Sequence, residues 1–432
     1  MKRNDEQAIV NEQAAVYIEE LAGRRVKNGL DNIRRLLPPE PVGKVIHVTG
    51  TNGKGSVCAF LTSIYQQAGY RVGVFTSPHL IDVRERIRIN HEWIGEARFA
   101  ELVLRLRDRA VRLEEAENIR FGFFEFLLAV AMTWFQEEAV DLIILEVGIG
   151  GLYDATNYIK HPAAAVIASI SLDHEDILGH SLAEVASQKA GIIKNAAPLI
   201  YLQEEAATAA VIEQTAADRQ ASAVYKVSAA DYQLKGAVPG GLACCLFGAA
   251  YVLPTLGRYQ VQNAAIAWRT VQALQPSFPV TASQLAAGIE QFSWPGRLER
   301  VRDGIYLDGG HNPAGIRALL ESVKPLKGEK KLLFAVVKDK KYDTMIQELA
   351  AAAVFDDISI VGLRTARRTE TNELAELFRS GCHCPVTVYS SVPEAMDSLL
   401  TQHQFADERL LLCCTGSLYL VGEIKEYLYD QF

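Results

Sequence analysis

The segment His47-Val48-Thr49-Gly50-Thr51-Asn52-Gly53-Lys54-Gly55-Ser56 lies where an apolar run ends and a segment of helical period begins. Consecutive backbone N–H groups, the N-terminus of the following helix and one lysine together make a cradle for phosphate. A glycine turn that served only to reverse the chain would not aim Lys54 at a helix N-terminus, where positive charge is unfavourable unless an anion is present. The strict spacing G-x-x-x-x-G-K-[ST] is not met, because Val48 takes the first glycine position and Gly55 separates Lys54 from Ser56. The loop is a variant, with Thr51, Asn52, Gly53, Lys54, Gly55 and Ser56 as candidate contacts to a nucleotide's phosphates.

Other residues offer chemistry with weaker local signals. Glu146 closes the apolar run Asp141-Leu-Ile-Ile-Leu-Glu, so it should project at the carboxyl edge of a sheet, beside the phosphate loop if the two strands are neighbours. A carboxylate there can hold magnesium. Gly148, Gly150 and Gly151 follow it and point to close backbone approach. His174 is read as ending a strand after Ser169-Ile-Ser-Leu-Asp, and a lone histidine of this kind is more often structural. Lys189 by itself is an ordinary helix lysine, and Phe123-Phe124-Glu125-Phe126 by itself is an aromatic piece of core. Cys382-His383-Cys384 lacks a second pair at finger spacing and reads as a turn before a strand.

The elements that must position these groups follow from length and pattern. The 432 residues are about three times the ~150 that serve as a soft prior for one domain, so two or three compact units are expected. Hydrophobic residues make up 49% and charged residues 22%, which suits globular cores and excludes a disordered polymer. With 44 Lys+Arg against 52 Asp+Glu the formal charge is -8, so nothing drives the chain generally toward nucleic acid or an anionic membrane. An anionic ligand must be held by local donors.

Residues 1–13 carry acids and amides where a signal peptide needs an apolar stretch, so no secretion signal is expected. The long uncharged stretch Gly236 to Gly257 is broken by Pro239, Gly240, Gly241 and Pro254, leaving far fewer than the ~20 residues that span a bilayer. Seven cysteines, mostly in apolar runs, suit reduced thiols in a cytoplasmic protein. A monomer is expected.

Short apolar runs alternate with segments of helical period, the pattern of parallel sheets covered by helices. Strands are expected at Lys44 to Thr49, Leu142 to Glu146 and Ala165 to Ser171, and a helix from Lys54 with Val57, Phe60, Leu61 and Ile64 on one face and Gly69 as its stop. Tyr225 to Gly257 reads as a β-rich appendage, followed by a helix from Gln262 to Leu274. After Trp294-Pro295-Gly296-Arg297 a second series of strands runs through Ile305 to Leu307, Lys331 to Val337, Ile358 to Val361, Val386 to Tyr389 and Leu410 to Cys414. The expected fold is α/β, with residues 1–296 forming a large P-loop-type domain of mainly parallel sheet plus the appendage. Residues 297–432 form a smaller Rossmann-like domain.

Thr49 to Ser56 resembles the nucleotide loop of the folylpolyglutamate synthase and dihydrofolate synthase family, whereas the related Mur ligases usually carry Thr in place of Gly55. Further segments are similar to that family and stand in its order: Thr76-Ser77-Pro78-His79-Leu80 with Glu85-Arg86-Ile87, Glu146-Val147-Gly148-Ile149-Gly150-Gly151 with Asp154-Ala155-Thr156-Asn157, and Asp173-His174. Lys189 to Lys194, Pro295-Gly296-Arg297 and Asp308-Gly309-Gly310-His311-Asn312-Pro313 continue the series, and Val337 to Lys340 with Thr415-Gly416-Ser417 carry it into the last third.

The resemblance implies roles for particular residues. Ser77, Glu146 and His174 become metal ligands, joined by Lys189 once carbamylation turns its cation into a carboxylate-like ligand. ATP and two Mg2+ ions are the implied cofactors. Lys54, Lys189 and His311 are the catalytic candidates, with His311 as a glutamate or acyl-phosphate contact. Asn263 matches an adenine-side asparagine, and Arg297 and Asp308 take positions from which family members reach the nucleotide in the cleft between domains. Phe124 and Glu125, with Tyr153, Asp154 and Ala155, fall on the pterin side. Leu152-Tyr153 stands where the family commonly has Arg-Leu, and Gly310 where it has Ala, and the first change bears on which folate form is preferred.

The implied reaction is an ATP-dependent ligation of L-glutamate to a folate, with dihydropteroate as a further acceptor. A carboxylate attacks the γ-phosphorus in line and releases ADP, and glutamate's amine then displaces phosphate from the acyl phosphate to form the amide. Two readings compete: a Mur-type ligase acting on a cell-wall precursor, and a P-loop nucleotide switch or ATPase, which would have no need of the Arg297 and Asp308 motifs.

Overall fold

The computed structural model describes residues 2–22, 24, 30–41, 43–402 and 410–429, with side chains described for all of these except 2–6 and 402. The chain divides into two compact units. One comprises Met1–Tyr232, Leu246–Gly248 and Asn263–Phe292, and the other Gln233–Cys245, Ala249–Gln262 and Ser293–Phe432.

The first unit is built on β1 (Val45–Thr49), β2 (Val72–Phe75), β3 (Ile87–Ile89), β4 (Glu92–Trp93), β5 (Leu142–Glu146), β6 (Ala164–Ile167), β7 (Leu199–Leu202) and β8 (Val224–Val227). Their order across the sheet is β4-β3-β2-β5-β1-β6-β7-β8. From β2 to β8 neighbours run parallel, while β3 and β4 add antiparallel strands at one edge. The central strands β1, β2 and β5 are buried at every residue, as a parallel sheet covered on both faces requires. The helix Lys54–Gln67 is buried from Gly55 through Tyr65, well beyond one face. Part of the reason is Gly288 in the helix Ala282–Glu290, where an added Cβ would lie 2.4 Å from the Ile64 Cα. The two helix backbones meet there with no room for a side chain. Gly69, at φ +88, ends the phosphate-loop helix as expected.

The second unit has a three-stranded sheet in the order β11-β10-β9, from β9 (Tyr232–Val238), β10 (Gly241–Leu246) and β11 (Ala249–Leu253). Its larger sheet uses β12 (Glu299–Arg302), β13 (Ile305–Leu307), β14 (Glu329–Phe334), β15 (Asp357–Val361), β16 (Val386–Tyr389) and β17 (Leu410–Thr415), in the order β12-β13-β17-β14-β15-β16. All neighbours are parallel except β12 with β13.

Three expectations about strands change. Residues 169–171 do not prolong β6, which stops at Ile167, because the carbonyls of Ser169 and Ser171 are taken by the backbone N–H and hydroxyl of Thr51. His174 therefore does not end a strand but precedes the one-turn helix Glu175–Leu178 with φ 51. The appendage does not begin at Tyr225, since β8 pairs with β7 as the last strand of the large sheet. The single division at residue 296 meets an interleaved partition in which most of Gln233–Gln262 groups with the C-terminal part. Within that unit the Arg258 N–H donates to the Ser322 hydroxyl at 3.0 Å. Among the described residues no helix is long and apolar enough to cross a membrane.

Candidate active site

The loop after β1 is bound from several directions. Thr51 donates its N–H to the Ser169 carbonyl at 2.7 Å and its hydroxyl to the Ser171 carbonyl at 2.9 Å. Thr49 donates its hydroxyl to the Gly150 carbonyl at 2.6 Å, joining the phosphate strand to the glycine-rich turn after β5. Gly53 takes φ +83 just before the helix, and a Cβ there would lie 2.4 Å from the Asn263 Oδ1. Only glycine serves at that point. The contact places Asn263, expected on the adenine side, against the loop. Lys54 Nζ folds back to the Gly50 and Thr51 carbonyls, 3.1 Å from each. It thus sits over the loop at the positive end of a helix, the place where an anion is stabilised.

Strands β1 and β5 are direct neighbours, with Val48 opposite Glu146. Glu146 is buried at the carboxyl end of β5, and its Oε2 accepts the Ser77 N–H at 3.0 Å. Two of the four expected metal-site residues therefore meet. Lys189 is 2% exposed in the helix Leu182–Ala190. Burial, and after it the charge of Lys54, drives its amine well below the usual lysine range, while Asp173 and Asp154 pull the other way. It lies within electrostatic reach of Lys54 and of Asp173, the residue preceding His174. Among the described residues no three His, Cys, Asp or Glu side chains form a metal cluster. Cys382 and Cys384 form a thiol pair, Sγ to Sγ 3.2 Å, in the turn before β16.

The acceptor-side residues take different positions. The Phe124 ring leans on Phe75, centroids 5.4 Å apart, and its tip lies where a Cβ on Gly148 would be, 2.9 Å away. Glu125 turns its Oε2 back to the Gly122 N–H at 2.9 Å and caps its own helix, Phe123–Glu137. Tyr153 is 77% exposed, whereas Ala155 is buried. Asp154 accepts four hydrogen bonds, from the Gly148 and Ile149 N–H groups on Oδ2 and the Thr156 N–H and hydroxyl on Oδ1. Burial raises its carboxyl above the usual range, and the bonds from Thr156, Ile149 and Gly148 counter part of that.

In the second unit, Asp308 is buried behind β13. Its Oδ2 accepts the Tyr259 hydroxyl at 2.7 Å and the Leu298 N–H at 2.9 Å, and its Oδ1 accepts the Gly310 N–H at 2.8 Å. Arg297 packs over Gly309, where a Cβ would meet its Nη1 at 2.5 Å. His311 Nδ1 lies 2.9 Å from the Gly309 carbonyl. Asp308 and His311 thus share one turn with Arg297 packed on it, fixed further where Asn312 caps the helix Pro313–Val323.

Sequence reasoning gave no role to several residues here. Arg86 donates Nε to His79 Nδ1 at 2.8 Å and lies over the Phe123 ring at 5.2 Å. Burial, with the charge of Arg86 second, pushes the His79 imidazole down to about 4. Tyr259 shows no spacing that betrays its partner Asp308, and neither His47 nor Thr156 carries a local sign of their pairing.

A phosphate loop beside a strand-end carboxylate in one α/β unit, with a second α/β unit following in the chain, fits the domain architecture of the Mur ligase superfamily, to which the folate ligases belong. Residues 125–271 match the Mur ligase middle domain, and residues 296–417 match the Mur ligase, glutamate ligase domain. The chain is similar to the dihydrofolate synthase/folylpolyglutamate synthase of Bacillus subtilis, 32% identical over 422 residues covering 93% of this chain and 95% of that protein. It is also similar in structure to the Mycobacterium tuberculosis folylpolyglutamate synthase complexed with ADP, at 26% identity and TM-score 0.87 over 97% of this chain and 98% of that one. Escherichia coli FolC in complex with DHPP and ADP matches at 26% identity and TM-score 0.81 over 98% of both chains. The chain belongs to the folylpolyglutamate synthase and dihydrofolate synthase family.

Proposed function

We propose that this protein is an ATP-dependent ligase that joins L-glutamate to a folate through an acyl phosphate, releasing ADP and phosphate. The observation that carries this reading is the junction of the phosphate loop with Glu146 and Ser77, in a chain that aligns end to end with folate ligases. Dihydropteroate serves as a further acceptor.

The residues fit a magnesium nucleotide. Glu146 supplies a buried carboxylate with the Ser77 backbone already against it, and His174 completes the protein ligands on this reading. When bound, magnesium neutralises charge on the β- and γ-phosphates. The loop N–H groups of residues 52–56 and Lys54 hold those phosphates, with Thr51 anchoring the loop through its own bond to Ser169, and the lysine favours the transferring group as its charge redistributes. Asn263 faces the adenine, and Arg297 and Asp308 are further nucleotide contacts. His311 contacts the glutamate or the acyl phosphate. Phe124, Glu125, Tyr153, Asp154 and Ala155 shape the acceptor side.

Lys189 acts as its carbamate. That adduct forms from a neutral amine, and burial together with Lys54 drives this amine in that direction. The protein works as a monomer on small molecules in the cytoplasm, a setting that suits seven free cysteines.

The test is incubation with ATP, magnesium, labelled glutamate and either tetrahydrofolate or dihydropteroate. Labelled product with tetrahydrofolate supports the reading, and product with both acceptors supports the dual activity. Slow ATP hydrolysis with no labelled product from either would overturn it in favour of a nucleotide switch, and product only with a cell-wall precursor in favour of a Mur-type ligase.

A further inference from the structure

A buried chain of hydrogen bonds runs from the phosphate strand to the acceptor side of the first unit. It begins at His47, in the middle of β1 and fully buried. His47 Nε2 lies 2.8 Å from the Thr156 hydroxyl, and that hydroxyl donates to Asp154 Oδ1 at 2.5 Å. The threonine has one proton, given to Asp154, so His47 must donate through Nε2–H. Its Nδ1 is then a bare lone pair, consistent with the lack of a hydrogen-bond partner for that buried atom among the described residues.

Asp154 passes the constraint on. Its Oδ2 accepts the N–H groups of Gly148 and Ile149 at 3.0 and 3.1 Å. Those two amides form the turn that begins two residues after Glu146, and the Phe124 ring tip comes against Gly148. The same turn is held from the other side, where the Thr49 hydroxyl donates to the Gly150 carbonyl. With four donors on two oxygens, the Asp154 carboxylate has one orientation in which all are satisfied. Rotating it would break its bonds to the Gly148, Ile149 and Thr156 amides together.

We propose that His47 and Thr156 are positioning residues for the acceptor: they orient Asp154, which holds the Gly148-Ile149 turn and so sets the wall against Phe124. Neither touches nucleotide or acceptor in this role. The identity of the acceptor rests on the folate-ligase reading, whereas the hydrogen-bond chain does not.

The test uses the full chain with Thr156→Val, which keeps the shape and loses the hydroxyl, and Thr156→Ser, which restores it. Two readouts are taken. Amide hydrogen exchange of the segment containing Gly148 and Ile149 should speed up about tenfold in Thr156→Val, the worth of one hydrogen bond to a charged group. The KM for tetrahydrofolate should rise about tenfold while the KM for ATP stays within about twofold, and Thr156→Ser should restore both readouts. If Thr156→Val does not fold, His47→Leu removes the other bond to the same hydroxyl and should show the same exchange change to a smaller degree. Unchanged exchange at Gly148 and Ile149 would overturn the proposal. So would a parallel rise in both KM values with a lowered melting temperature, which marks general loosening. Should the wild-type chain ligate no folate, the functional reading fails, and the exchange experiment still decides the relay.

Discussion

The Ser77 backbone N–H donates to the Glu146 carboxylate at 3.0 Å, joining residues 69 positions apart in the sequence. The bond aligns the end of β5 with the loop after β2, because these two strands are parallel neighbours and both stop at the same edge. The bond ties the Glu146 side chain to the backbone that follows β2.

Glu146→Gln should keep this geometry, since the amide oxygen can still accept from Ser77. It removes the charge, so the magnesium concentration for half-maximal activity should rise while the melting temperature without nucleotide stays close to wild type. A magnesium titration of activity that superimposes on the wild-type curve would exclude Glu146 from the metal site.

Lys54→Ala removes the lysine that bridges the loop carbonyls of Gly50 and Thr51. Turnover should fall by at least ~10²-fold, the scale of one lost electrostatic donor. Folding should survive, because a partly buried loop lysine adds little to the core. Wild-type turnover at saturating ATP would remove it from the mechanism.

Lys189 tests the carbamate. Lys189→Ala should abolish most activity and regain part of it with acetate or propionate, whereas Lys189→Arg should stay inactive under the same additions. Carbon NMR of the folded protein exchanged with ¹³C-labelled bicarbonate should show a carbamate signal. No signal at ample bicarbonate, together with an active Lys189→Arg enzyme, would reduce the position to an ordinary buried lysine.

His47 gives a pH dependence with a definite sign. Burial, with the charge of Lys194 second, lowers its pKa from 6.5 to about 3 in the fold. The unfolded chain therefore binds one more proton than the folded one between these values, and stability from this group is present above pH 6.5 and lost as pH falls toward 3. The melting temperature should drop from pH 7 to pH 5, and the drop should be shallower in His47→Gln. Equal slopes for the two proteins would show that His47 does not contribute.

Gly288→Ala tests the close helix contact. The new methyl would meet the Ile64 backbone at 2.4 Å, which cannot move without shifting the phosphate-loop helix, so a loss of about 1–3 kcal/mol is expected. Denaturant unfolding reads it directly, and a midpoint equal to wild type would mean that the two helices separate without cost.

The phosphate loop, the helix after it and the strands at Leu142 to Glu146, Ile305 to Leu307 and Val386 to Tyr389 were legible in the chain, because each is written in a few adjacent residues. An apolar run, a glycine with positive φ and a 3.6-residue period are local properties, and burial in a parallel sheet only selects them. The edge strands β3 and β4 were not legible, since Ile87–Ile89 and Glu92–Trp93 are short, carry charged residues and become strands only by pairing beside β2. His174 was misread for a related reason: what ends β6 is the demand of Thr51 for the Ser169 and Ser171 carbonyls, made from 120 residues away in the case of Ser171. The relay and the Asp308 turn lie beyond any local pattern. His47 finds Thr156 across 109 residues and Tyr259 finds Asp308 across 49. Side chains buried with polar atoms must find partners wherever the fold puts them. The sequence specifies which groups need a partner, and the crossing of β1, β5 and the loops at their carboxyl ends decides which one each receives.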